Sequence, residues 1–426
     1  MTGLARWLAR ILLLLAATTL ALVVGDRAAG WLLGTRERHL FRLPARAQAR
    51  HQSTEFDYVF HANRLGFRGP DRPFARPPAT RRIAVIGDSF VAGYGVADDA
   101  VFTARLERLL NGAPAAGNPP SGQHPSAAER SGPVKTEVIN LGRNGTSTIR
   151  ELDLYERFGR RWQPDVVVLA FFLGNDLVEV LQEHDAAELA AWHPRGAVRR
   201  VAYALCPNLY LELALMKLSA EAQRSGQPRT EAEVLAALRQ ACGEAGADVA
   251  AAEQAYRRLP PGVREALEQR RLRDHQILAA CYDPGRLARA IDPDGADWNR
   301  AWPRVERHLD RLKAAVTGDG AELAMMIIPD AVQIDPAAHD FAASIGYRVE
   351  AHWLTGRGRT QEALAAWCQA HAVPCLDLTD RLREADGPLY YPQDGHWNAA
   401  GHDRAAAWLA EFLQSEVLSA TGDPRS

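Results

Sequence analysis

The sequence predicts an α/β domain. It should have a five-stranded, mainly parallel sheet with helices on both faces, a helical insertion and an N-terminal membrane helix. Three observations predict it. Five short apolar runs alternate with segments of helical periodicity. The interval 182–298 breaks that alternation and is rich in Ala, Glu and Arg. Residues 11–25, "ILLLLAATTLALVVG", form an uncharged, mostly apolar stretch behind an arginine-bearing start.

The strands come in order. "RIAVI" (82–86) is a short buried-type run, followed by Phe102, Leu106, Leu109 and Leu110 at helical spacing. Residues 111–133 have no periodicity and read as a mobile surface loop. "EVINL" (137–141) is a second strand, and Ile149, Leu152, Tyr155 and Phe158 mark the next helix. "PDVVVLAFFL" (164–173) ends in eight consecutive apolar residues, as expected for a strand covered on both faces. Val305, Leu309, Leu312 and Val316 then make a helical stripe before "ELAMMII" (322–328). A helix around 360–371 precedes "VPCLDL" (373–378), and Asn398 is an N-cap for the last helix, with Leu409, Phe412 and Leu413 inward.

The insertion carries runs such as "EAEVLAALRQACGEAG", broken at Pro260-Pro261, and would shape a cleft, bind a protein partner or act only as a stabilising cap. The chain therefore divides into a signal anchor (1–35), a connecting arm (36–80) and two parts of the sheet domain (81–181 and 299–418). The insertion (182–298) separates those parts, and a short tail (419–426) follows.

Arg6 and Arg10 precede the apolar stretch, which reaches spanning length when counted from Trp7 with Arg10 snorkelling. The reading is a membrane anchor with the catalytic domain exported, periplasmic or extracytoplasmic. "TLA" (19–21) leaves room for cleavage. Arg27, Arg36, Arg38, Arg42, Arg46 and Arg50 lie on the other side and argue for the opposite orientation. With a formal net charge of −2 and no long basic run, nothing suggests a nucleic-acid-binding surface, and no nucleic-acid partner is expected. Cys368 and Cys375 have a spacing that could close a disulfide; Cys206, Cys242 and Cys281 are scattered, and none shows metal-ligand spacing. No metal or cofactor is expected.

In a parallel sheet the ligand site lies beyond the carboxyl ends of the strands. Ser89, in "GDSF", follows the first strand directly. A serine hydroxyl needs a base, usually a histidine held by a third group. "YYPQDGHWNAAGH" supplies His396 and, two residues earlier, Asp394. His402 falls inside the last helix and reads as structural or solvated. Gly145 after the second strand offers a close backbone N–H, and Asn175 after the third offers an amide, both suited to an oxyanion. Trp397 could stack on a sugar ring or pack beneath its loop.

"IGDSF", "INLGRNG", "LGND" and "DGHWN" resemble the four sequence blocks of the SGNH (GDSL-type) hydrolases. The resemblance covers about residues 81–180 and 300–415, and implies a three-layer α/β/α flavodoxin-like fold and esterase, lipase or carbohydrate deacetylase activity. It makes Ser89 the nucleophile, Gly145 and Asn175 the oxyanion residues, His396 the base and Asp394 its orienting group. The arm "HANRLGFRG" and the anchor resemble membrane-tethered bacterial members. One position departs: the family's usual Asp, three residues before His, is here Gln393. The D-x-H spacing is similar to that of related exopolysaccharide O-acetyltransferases.

The expected function is serine-dependent cleavage of carboxylic esters, O-acetyl first among them, on cell-envelope or exported carbohydrate. Two rivals stand beside it. One is an O-acyltransferase on polysaccharide served by a membrane partner; the other is a non-enzymatic assembly protein that uses the 182–298 insertion. "GDSFVAGYG" is neither a P-loop nor a dinucleotide fingerprint, "GDSFV" lacks the second glycine of a G-x-S-x-G elbow, and no carboxylate pair is placed as a glycosidase dyad.

Overall fold

The computed structural model describes residues 3–33, 45–112, 135–181, 196–213, 216 and 228–418. The tail, most of the 111–133 loop, residues 36–44 of the arm and parts of 182–227 lie outside the described residues. Two compact units are present: Met1–Pro44 with Ala186–Gly226, and Ala45–Asp185 with Gln227–Ser426.

The larger unit is a mostly helical α/β domain built on a five-stranded parallel sheet. Its strands are β3 (Thr80–Gly87), β4 (Lys135–Gly142), β5 (Val166–Phe172), β6 (Glu322–Ile328) and β7 (Cys375–Asp377), in the spatial order β4-β3-β5-β6-β7. Register runs without interruption, with Ile83 beside both Val138 and Val166, Val168 beside Ala324, and Met326 beside Leu376. Val85, Val168, Ala324 and Met326 are fully buried, as two-sided helix cover requires. The chain leaves β3 in one direction to form β4 and in the other to form β5. The carboxyl ends of β3 and β5 therefore flank the topological switch point, where a ligand crevice opens in such sheets.

The described part of the arm contains a hairpin, β1 (Gln48–Gln52) paired antiparallel with β2 (Asp57–His61). Its polar alternation, "QARHQ", gives no apolar face from which a sequence reading could place a strand. Beyond it, Asn63 accepts from the N–H groups of Leu65 and Phe67, and this turn directs Arg68 inward. The buried Arg68 guanidinium donates to the carbonyls of Ala92, Gly93 and Val96, so the "HANRLGFRG" stretch holds the turn just after Ser89.

Between β5 and β6 the larger unit contains helices Glu231–Ala245, Val249–Arg258, Pro261–Glu268, Asp274–Tyr282 and Arg286–Ile291. Thr230 and Glu233 form a reciprocal capping box at the first, and Pro261 opens the third, where its missing N–H costs nothing. Val234, Leu238, Tyr256 and Leu267 are fully buried in a core that this segment largely makes itself. All five cysteines are free thiols; Cys368 donates to the Met325 sulfur at 3.5 Å.

In the smaller unit a helix runs from Gly3 to Leu33. Its Ala5–Leu32 portion is long and apolar enough to cross a membrane, a test that a signal sequence also passes.

Arg82, wholly buried in β3, is the costliest charge in the sheet. It pairs with Glu137 at 3.0 Å and donates to the carbonyls of Pro73, Phe74, Ala75 and Trp162 at 2.8–3.1 Å. Removing one partner of such a set strands the rest without water. Arg82→Met should therefore lower the unfolding free energy by about 3–5 kcal/mol, measured by chemical denaturation.

Candidate active site

β3 ends at Gly87, where a Cβ would lie 2.5 Å from Val91 and 2.8 Å from the Ala170 carbonyl oxygen, so only glycine allows this approach to β5. The chain then turns into a single helical turn, Ser89–Ala92, capped by Asp88, which accepts from the Phe90 N–H at 2.9 Å. Ser89 begins that turn at the switch point, and its Oγ lies 2.7 Å from His396 Nε2.

His396 arrives from the loop before the last helix, Ala399–Phe412, whose first turn is capped by Asn398 through the Gly401 N–H. Tyr391 donates its N–H to the His396 carbonyl, and Gly395 donates to the Tyr391 carbonyl. Gly395 has φ +82°, a left-handed conformation that suits glycine and folds Asp394 back under the ring. As a result Asp394 Oδ1 lies 2.5 Å from His396 Nδ1, despite the two-residue spacing. Gln393 faces away and accepts from the Thr54 hydroxyl at 2.7 Å. The three side chains thus form a continuous chain, Ser89–His396–Asp394, buried on all members. The partners assign the tautomer: Nδ1 carries the proton donated to Asp394, leaving Nε2 to accept from Ser89.

Gly145 and Asn175 stand at the neighbouring strand ends. Gly145 occupies an exposed turn after β4 with φ +65°, and a Cβ there would meet nothing within 4 Å. Asn175 caps the turn Asp176–Glu179 after β5, and its Nδ2 donates to Asp88 Oδ2 at 3.4 Å. The same Asp88 oxygen lies 3.3 Å from Ser89 Oγ. Burial pushes the Asp88 carboxyl up to about 7, well above the ordinary carboxylate value.

Three further groups shape the site, and two of them, Arg273 and Glu55, belong to none of the quoted sequence blocks. Arg273, at the N-cap of helix Asp274–Tyr282, places Nη1 2.9 Å from His396 Nδ1 and Nε 3.8 Å from Asp394 Oδ2, with its guanidinium over the Tyr94 ring. Because Nδ1 already donates to Asp394, the contact with Arg273 is electrostatic. Glu55, from the arm, accepts the N–H groups of Gln393 (3.1 Å) and Asp394 (2.8 Å), fixing the loop backbone. Phe90 lies 4.9 Å, centroid to centroid, from the His396 ring and supports it. Sequence gives no signal for Arg273 or Glu55, since each is a charged residue among other charged residues and distant in the chain from Ser89.

Trp397 is completely buried, edge-on to Phe90 and Phe102, so the sugar-stacking alternative is excluded and the ring packs beneath its loop. His402 is also buried; its Nδ1 accepts from the Phe102 N–H at 3.3 Å, a structural role.

Burial lowers the His396 pKa, and the Arg273 cation lowers it further, against the opposing pull of Asp394. Burial pushes Asp394 up, but His396 and Arg273 with its hydrogen bonds hold it below the ordinary carboxylate value. The imidazole is therefore a free base at neutral pH.

A family model described as SGNH hydrolase-like domain, acetyltransferase AlgX, matches residues 287–425. The chain carries an SGNH-type domain. The matched segment spans β6, β7, Asp394 and His396, while Ser89, Gly145 and Asn175 precede it. No curated protein matches the chain. A solved crystal structure is similar over 80% of this chain and 99% of its own, at 14% identity and a TM-score of 0.32, too distant to bear on function.

Histidine-resolved NMR titration checks the electrostatics. His396 should protonate below the ordinary value of 6.5, and Arg273→Met should move that midpoint upward by removing the cation beside the ring.

Proposed function

We propose that this protein is a serine-dependent acyl-transfer enzyme that opens carboxylic, most simply O-acetyl, esters of cell-envelope or exported carbohydrate. The observation that supports this reading is the buried hydrogen-bond chain from Ser89 through His396 to Asp394, at 2.7 and 2.5 Å, formed by residues 307 positions apart in sequence. A structural serine has no need of an oriented free-base imidazole.

In the proposed reaction Ser89 Oγ attacks the ester carbonyl as its proton passes to His396 Nε2. Asp394 keeps the second imidazole proton on Nδ1 and stabilises the imidazolium that forms. The developing oxyanion is taken by the N–H groups of Ser89 and Gly145 and by the Asn175 amide, reached when substrate displaces its long contact to Asp88. His396 returns the proton to the departing alkoxide, leaving an acyl-Ser89 ester. Water then takes the acyl group.

The second reading is that a sugar hydroxyl replaces water, which would make the enzyme an O-acyltransferase. The acetyltransferase description of the matching family model favours it. Under either reading, we place the catalytic domain outside the cytoplasm, tethered by the N-terminal helix.

With p-nitrophenyl acetate, Ser89→Ala and His396→Ala should fall to background. Asn175→Ala should lose about 100- to 1,000-fold in kcat. Retained turnover in Ser89→Ala would overturn the reading. Adding an oligosaccharide acceptor separates the two fates, since a transferase forms acetylated sugar faster than free acetate. In both cases kcat/KM should fall as pH drops through a midpoint below 6.5, because the protonated imidazole cannot accept the serine proton.

A further inference from the structure

The smaller unit contains a second apolar surface beside the N-terminal helix. Helix Ala197–Leu205 and the helical residues 207–213 and 216 follow one another through Cys206. Along them Val198, Val201, Leu205, Leu209, Leu213 and Met216 recur at three- and four-residue intervals, between 43% and 83% exposed. Each of the two helices thus shows an apolar row that nothing among the described residues covers, on segments that also expose Arg199 and Arg200.

What fixes this stripe in space is Asp26. Its side chain is buried near the end of the apolar helix, where an unpaired carboxylate would be costly. It accepts the backbone N–H groups of Leu209 (2.7 Å) and Asn208 (3.3 Å) and the Asn208 amide (3.0 Å), capping the second helix from outside its own chain segment. One turn along, Gly30 makes room for Asn208: a Cβ there would lie 2.1 Å from the Asn208 side chain. Asp26 and Gly30 therefore clamp the start of the second helix against one face of the first.

The depth of that clamp follows from the aromatic residues. Trp7 and Trp31 are 61% and 83% exposed and lie about 36 Å apart along the helix, at 1.5 Å per residue. That separation suits the two interfacial belts that flank a hydrocarbon core of about 30 Å. Asp26 then sits about 7 Å inside the Trp31 level, a few ångströms within the acyl side of a core about 30 Å thick.

We propose that residues 197–213 and Met216 form an interfacial element at the border between headgroups and acyl chains of the bilayer that the N-terminal helix enters, with the apolar row from Val198 to Met216 toward the acyl chains. The occupant of the stripe is lipid. The exposed arginines suit anionic headgroups, and the clamp holds the stripe at the depth where a bilayer changes from polar to apolar. The proposal rests on the reading that the N-terminal helix spans a membrane.

The test uses the full chain in nanodiscs of phosphatidylcholine and phosphatidylglycerol. An environment-sensitive fluorescent amino acid is encoded at Val201 or, separately, at Leu14. With acyl-brominated lipids both probes should lose roughly half or more of their emission, as expected within reach of the acyl chains. Quenching at Leu14 but not Val201 would overturn the proposal and leave the anchor standing. A blue-shifted but unquenched Val201 probe would mean that protein covers the stripe, which also overturns it. Quenching at neither position would reject the anchor and the proposal together.

Discussion

The rest of the site depends on the 2.7 Å approach of Ser89 Oγ to His396 Nε2. It joins a turn after the first strand of the parallel sheet to a loop before the last helix, so the whole sheet must be in register for it to exist. Burial raises what is at stake. A poorly hydrated imidazole is held as a free base, and a poorly hydrated hydroxyl has no better acceptor than that base. Each neighbouring group must then be matched, because an unpaired charge in such a place would shift the proton balance of the other two.

That matching is done by segments outside the sheet. Arg68 fixes the turn behind Ser89 by satisfying three of its carbonyls. Glu55 fixes the loop ahead of His396 by accepting two of its N–H groups. Arg273 sets the local potential from the helical segment between β5 and β6. The arm and that helical segment thus act on Ser89 and His396 from two sides. This gives a physical reason for the order in "HANRLGFRG": an Asn that turns the chain and an Arg that reaches inward five residues later.

Much of this was legible in the sequence, for identifiable reasons. β5 and β6 are continuous apolar runs because both faces are covered, and their bounds differ little from those read from hydropathy. β7, at the sheet edge, is only Cys375–Asp377, shorter than its apolar surroundings suggest. The positions of Ser89, Gly145 and Asn175 after their strands were readable because each closely follows an apolar run. The displaced Asp394 became intelligible only with the φ of Gly395, which no spacing rule contains. Trp397 could not be assigned locally, since exposure is a property of the packed loop. Arg273 and Glu55 were invisible because a single polar residue acquires meaning only from what tertiary packing brings to it.

The account's central claim is that Ser89 is an activated nucleophile, and active-site labelling tests it most directly. The folded full-length protein is treated with a fluorophosphonate, and the adduct is located by peptide mass spectrometry. The account predicts a single stoichiometric adduct on Ser89 that is lost in His396→Ala. Absence of an adduct in folded protein, or an adduct on another residue with Ser89 unmodified, would contradict it.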